Sequence, residues 1–129
     1  MNIGKAAKLS NLTIKTVRYY ASIDLIKPAQ NPLTGYREYN EEEVSKLKFI
    51  GKARKFDFSI NECKELLSLY EDKNRTSKEV KKITLEKISQ IENKLKDLND
   101  LKKELSFLAN NCHGDDKPNC PILDELSKN

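Results

Sequence analysis

The sequence predicts an all-α fold with a small β wing: an N-terminal winged helix-turn-helix, a long dimerisation helix and a C-terminal cysteine loop. Three observations lead there. From Thr76 to about Leu108, apolar residues recur at Ile88, Ile91, Leu95, Leu98 and Leu105, steps of three and four that keep one stripe on one helical face. Two short helical stretches separated by Ser10-Asn11 open the chain, the pattern of a helix-turn-helix. Between Ile26 and Tyr39, Pro28 and Pro32 rule out a continuous helix, and Thr34-Gly35 makes a turn between two short extended pieces.

In chain order, the first helix runs from Ile3 to about Leu9. Ala6 and Ala7 are small enough to let the next helix pack close across it. That second helix spans Thr13 to about Ala21, with Thr13 as its N-cap. It carries Lys15, Thr16, Arg18, Tyr19 and Tyr20, a basic and aromatic surface able to reach bases and phosphates, with one of the two tyrosines expected in the core. The hairpin after it pushes Arg37 and a tyrosine hydroxyl outward, as a DNA-gripping wing requires; an ordinary surface loop is the alternative. Asn40 followed by Glu41, Glu42 and Glu43 starts a helix through Val44, Leu47 and Ile50 to Arg54 or Lys55, the acids set against the positive end of its dipole. Ser59 and Glu62 form a capping box for a helix through Leu66, Leu67 and Leu69, in which Cys63 is a small core residue. Residues 71–75 are a short polar link.

The long helix starts at Thr76 with Glu79 three residues on, again a capping-box pair. Val80 and Leu108 extend the stripe at either end, while Lys82, Lys96 and Lys103 mark the solvated face. So narrow a stripe on so long a helix leaves a seam exposed. A second copy packed on it as a coiled coil is the simplest remedy, although Lys102 breaks the strict heptad. Packing of the helix on its own N-terminal domain is the other solution.

Charge is uneven. Residues 1–55 contain 11 Lys or Arg against 5 Asp or Glu, whereas residues 76–129 contain 10 of each, so the net +4 of the whole chain arises in its head. A compact basic head followed by a neutral helix suits a polyanionic partner such as DNA. No apolar run approaches the ~18 residues of a membrane span, and the first residues lack the apolar core of a signal peptide, so a cytoplasmic location is expected. A single His and no evident pair of carboxylates in a pocket argue against an enzyme.

Three cysteines, an odd number, argue against a disulfide framework. Cys112 and Cys120 flank a loop in which Gly114 and Pro118 force the chain to turn, so the two thiols can converge. Two sulfurs alone suit a soft monovalent ion such as Cu(I), whereas zinc wants four good ligands. His113, Asp115 and Asp116 keep zinc open as a second reading, and a pair of unligated or redox-active thiols is a third. A metal buffer would need this loop but no basic head; a redox-sensing regulator would keep both.

The order of these parts, with TVRYY, GYREY and a terminal C-x7-C loop reading C-H-G-D-D-x-x-x-C-P-I, resembles the MerR family of metal-responsive transcription regulators across the whole chain, and within it the copper-efflux branch. The resemblance implies a DNA-binding domain over 1–75, a coiled-coil dimerisation helix over 76–109, and a metal-binding loop with a short terminal helix over 110–129. It implies DNA contacts from Lys15, Thr16, Arg18, Tyr20, Tyr36, Arg37 and Arg54. It makes Cys112 and Cys120 the ligands of Cu(I), with Ag(I) or Au(I) as substitutes. Ser77 stands where divalent-metal members carry a cysteine. The helix N-terminus with Lys81, one turn on, is suited to offset the −1 charge of a dithiolate Cu(I) site. His113 departs from the proline expected in that branch, which bears on metal selectivity. The implied partners are double-stranded promoter DNA, RNA polymerase and a second copy in a homodimer. The implied mechanism is metal-driven bending and untwisting of a promoter whose −35 and −10 elements are poorly aligned for the polymerase.

Overall fold

Eight elements follow one another in the computed structural model, which describes residues 1–129: α1 (Ile3–Ser10), α2 (Ile14–Ser22), β1 (Ala29–Gln30), β2 (Arg37–Glu38), α3 (Glu41–Lys55), α4 (Ile60–Glu71), α5 (Ser77–Asn110) and α6 (Pro121–Leu126). They form two compact units, Met1–Thr84 and Leu85–Asn129. No helix is long and apolar enough to cross a membrane.

The local chemistry of the first unit explains where its helices start and stop. Asn2 accepts from the Lys5 N–H at 2.9 Å to open α1, and Asn11 ends it in the left-handed region at φ 59°. Thr13 caps α2 by accepting from the Thr16 N–H at 3.1 Å. The Asn40–Glu43 pair forms a complete capping box, with bonds of 3.0 and 3.1 Å, and so does Ser59–Glu62, with 3.1 and 2.8 Å. At the start of α5 only half of the expected box forms, the Glu79 N–H donating to Thr76 Oγ1 at 3.4 Å.

Between α2 and α3 the chain makes the wing, an antiparallel pair with Ala29 opposite Glu38 and Gln30 opposite Arg37. Its tip is held by hydrogen bonds rather than by a core. Gly35 N–H donates to the Asn31 carbonyl and Asn31 N–H to the Tyr36 carbonyl, both at 2.8 Å, and Asn31 Oδ1 accepts from Leu33 N–H at 2.8 Å. Gly35 sits at φ +74°, where a side chain would be strained.

The core of this unit is built on Val17, Ile26, Tyr39, Leu47, Ile50 and Cys63, all essentially inaccessible. Ala6 and Ala7 are buried too, and they let α1 approach α2 and α3 as their size suggests. Gly51 meets Leu12 so closely that an added Cβ would lie 3.3 Å from its Cδ2. Ile83, in the second turn of α5, belongs to the same core, which is why this compact unit continues to Thr84.

The long helix has 34 residues, about 51 Å at ~1.5 Å per residue. In the single chain its stripe faces solvent: Ile88, Leu95, Leu98 and Leu105 are between 45% and 62% exposed. A row of half-exposed leucines and isoleucine on one helical face is an apolar surface awaiting a partner.

Candidate nucleic-acid interface and metal centre

Two cations of the N-terminal unit, Arg18 of α2 and Arg37 of the wing, meet in one groove. Helical spacing puts Val17, Tyr20 and Ala21 on the inward face of α2 and leaves Lys15, Arg18 and Tyr19 outside. On the wing, Tyr36 is 77% exposed and Arg37 lies beside it in β2. Arg18, Arg37, Tyr36 and Gln30 line one groove of about 470 Å³, floored by Ile3, Gly4 and Tyr39. Residues from separate elements therefore converge on a basic, aromatic cleft that fits a sugar–phosphate backbone. Tyr39 is buried beneath it with its hydroxyl lacking a well-formed hydrogen bond. Burial raises the pKa of that hydroxyl, against the pull of the Arg37 and Arg18 charges.

Two expected contact residues sit differently from the rest. Tyr20 is buried, because it lies three residues after Val17 on the core face; its neighbour Tyr19 is the half-exposed ring, set edge-on to it at 6.0 Å between centroids. Burial raises the pKa of the Tyr20 hydroxyl, against the pull of the Arg54 charge. Tyr20 thus belongs to the core, and Tyr19 takes the outward place that the sequence left undecided between the two. Thr16 is half-buried, its hydroxyl accepting from Thr13 Oγ1 at 2.8 Å. Arg54 is exposed, with Nη1 donating to the Phe58 carbonyl at 2.7 Å. Cys63 is wholly buried and burial raises its thiol pKa, as suits an inert core residue.

If the cleft grips the DNA backbone, Arg18→Ala and Arg37→Ala each weaken operator binding uniformly across sequences and flatten the log–log salt dependence by about one phosphate, a slope change of ~0.9. Titrations at several salt concentrations check this. Unchanged affinity and slope in both variants would remove helix and wing from the interface.

At the start of α5, Lys73, Arg75, Ser77, Val80, Lys81 and Thr84 line a second, wider groove of about 640 Å³. Ser77 and Lys81 lie there together, one helical turn apart, as their spacing requires.

In the C-terminal unit the loop after α5 returns as the sequence suggests. Gly114 takes φ +61°, and the Lys117 N–H donates to Asp115 Oδ1 at 2.9 Å. The Sγ atoms of Cys112 and Cys120 come to 3.9 Å and both thiols are free and half-buried. The separation is far beyond the ~2.05 Å of a disulfide, so the sulfurs are neighbours in contact without a bond. Cys120 precedes α6, and the backbone amides of Leu123 and Ile122 lower its thiol pKa, helped by Cys112 and opposed by partial burial and Asp124. A thiolate is the form that binds metal. His113 and the loop aspartates are exposed, and no group of three or more His, Cys, Asp or Glu side chains converges as a metal site anywhere in the structure. The donor set on offer is two soft sulfurs.

Comparison with known proteins agrees with this geometry. The family model described as MerR HTH family regulatory protein matches residues 1–70, and the model described as MerR, DNA binding matches residues 44–108. The chain is 46% identical to the HTH-type transcriptional regulator HmrR of Rhizobium leguminosarum bv. viciae, over 98% of both chains. It is 40% identical to the HTH-type transcriptional regulator CueR of Salmonella typhimurium, over 98% of this chain and 92% of the other. Its structure resembles the lead(II) complex of the transcription regulator PbrR691 from Ralstonia metallidurans CH34, with a TM-score of 0.84, 30% identity, and coverage of 98% and 99%. With a helix-turn-helix and wing that converge on a basic cleft, a dithiol loop and these matches along its length, the chain belongs to the MerR family of DNA-binding, metal-responsive transcription regulators and is not an enzyme.

Proposed function

We propose that this regulator senses Cu(I), with Ag(I) and Au(I) as substitutes, and activates promoters of copper efflux or detoxification genes in the cytoplasm. The observation that carries the reading is the Cys112–Cys120 pair, two free thiols with sulfurs 3.9 Å apart and no third donor converging on them. Two thiolates satisfy a soft monovalent ion, which accepts low coordination, whereas a structural zinc site wants four ligands. By the family resemblance, Ser77 withholds the third thiolate of divalent-metal members, and Lys81 offers a cation to an anionic site. Both support a +1 ion.

In this reading residues 1–75 bind DNA, residues 76–109 form the coiled-coil dimerisation helix, and residues 110–129 carry the metal loop. Lys15, Arg18, Tyr36 and Arg37 meet the DNA from helix and wing, Arg54 reaches it from the end of α3, and Thr16 approaches it from the start of α2. The protein acts as a homodimer on double-stranded promoter DNA. Metal capture shifts the balance between two arrangements of the dimer, and the arrangement favoured by metal bends and untwists the promoter so that RNA polymerase engages both of its elements. Deforming a duplex costs energy that must be met by contacts to its backbone, which is the role of the basic cleft.

The test is a titration of the reduced protein with Cu(I) and with Zn(II), read by X-ray absorption and by transcription in vitro. Expected are two sulfur neighbours with no nitrogen around Cu(I), far tighter binding of Cu(I) than of Zn(II), and activation by Cu(I) only. A His113 nitrogen in the first shell, or equal activation by zinc, would move the protein to the divalent branch.

A further inference from the structure

Cys112 lies just past the end of α5 and Cys120 is the N-cap residue of α6, so neither sulfur is fixed by the interior of a helix. Their Sγ atoms are 3.9 Å apart, and both thiols are free and half-buried. Every residue between them, from His113 to Asn119, is exposed, and Gly114 turns the chain at φ +61°. The loop can therefore tighten without disturbing a core. Cys63, the third cysteine, is wholly buried in the core of the N-terminal unit and has no part in this pair.

A disulfide holds its sulfurs at ~2.05 Å, so bonding of this pair requires an approach of about 1.9 Å. Rotation of two side chains and a small closure of an exposed loop supply it. An accessible thiol beside a second thiol that can resolve it is the arrangement of a reversible oxidation site. The oxidant is a hydroperoxide. One thiolate attacks the O–O bond, forming a sulfenic acid and releasing alkoxide, or hydroxide from hydrogen peroxide. The second thiol then attacks that sulfur, forming the S–S bond and expelling water. Two thiols and one hydroperoxide thus give a disulfide, an alcohol (water from hydrogen peroxide) and water, with two electrons passing from sulfur to the peroxide oxygens.

We propose that Cys112 and Cys120 are a modification site for hydroperoxides, and that the disulfide they form silences the response to metal. The bond stands on the geometry of the loop; the silencing rests on the reading of this pair as the metal site. Metal is bound by thiolates, so one disulfide removes both ligands at once. A bound ion in turn occupies the sulfurs and shields them. Metal and oxidant therefore compete for the same two atoms, and the protein reports metal only while the pair is reduced. The basic cleft of the N-terminal unit contains no cysteine, so the oxidised protein keeps its grip on DNA.

The experiment treats the reduced full-length protein with hydrogen peroxide, with and without Ag(I), and follows thiol alkylation, peptide masses and DNA binding. Trypsin does not cut at Lys117 because Pro118 follows it, so both cysteines stay in the fragment Glu104–Lys128. That fragment is expected to become lighter by two hydrogens and to regain them with dithiothreitol. Affinity for a DNA duplex selected for tight binding is expected to stay unchanged. Affinity for Ag(I) is expected to fall by about a hundredfold or more, since no thiolate remains. Free Ag(I) at about ten times its Kd is expected to slow the oxidation about tenfold, by leaving that much less of the pair free. Fragments that gain only oxygen, disulfide-linked dimers, or thiols unchanged after peroxide would each overturn the proposal. A disulfide that forms equally fast with Ag(I) present, in a reduced protein that binds no Ag(I), would instead overturn the metal-site reading and with it the silencing.

Discussion

Cys112→Ser and Cys120→Ser each abolish metal-dependent activation while leaving operator affinity largely intact. The reason is ligand number. A site of two thiolates has no spare donor, and a serine hydroxyl is a hard, protonated oxygen that a soft +1 ion scarcely binds. No third donor joins the pair in the single chain, where His113, Asp115 and Asp116 are exposed. Loss of either sulfur therefore removes nearly all of the affinity rather than half of it. The basic cleft of Arg18 and Arg37 belongs to the N-terminal unit and is untouched by either change. Transcription in vitro, with and without Cu(I), and operator binding by the same preparations separate the two effects. Retention of metal-driven activation by either single variant would show that the pair is not the sensor.

Leu95→Glu converts the dimer to monomers and takes tight operator binding with it. Leu95 sits in the middle of the α5 stripe and is 57% exposed in the single chain, so the substitution leaves the core of the N-terminal unit untouched. In a two-fold dimer the change occurs twice. Each leucine that fails to bury costs ~2 kcal/mol, so the pair alone weakens association by about three orders of magnitude. The two carboxylates add a further penalty if they are forced into the seam. Sedimentation reads the assembly state, and circular dichroism establishes that the helices persist. A folded variant with wild-type dimer affinity would place the interface on another face of the chain.

What the sequence determined by itself was local and periodic. Capping pairs such as Asn40–Glu43 and Ser59–Glu62 are short-range hydrogen-bond chemistry, so they named helix starts that the structure reproduces. Prolines and Gly35 marked the wing because they restrict or permit backbone angles whatever surrounds them. The stripe from Ile88 to Leu105 followed from helical period alone, and Cys112 and Cys120 followed from thiol chemistry and a loop short enough to close.

Other features needed the fold. Periodicity could not decide which of the adjacent Tyr19 and Tyr20 faces the core; packing against Val17, Ala21 and the rest of the core decided it. Arg18 and Arg37 are 19 positions apart in the chain, and only the return of the wing toward α2 brings them to one groove. That Ile83 joins the N-terminal core depends on where α5 passes as it leaves the link, which no local pattern in the helix announces. Backbone chemistry acts between residues a few positions apart, whereas two guanidinium groups from a helix and a strand reach one groove only after the hydrophobic core has set those elements in place.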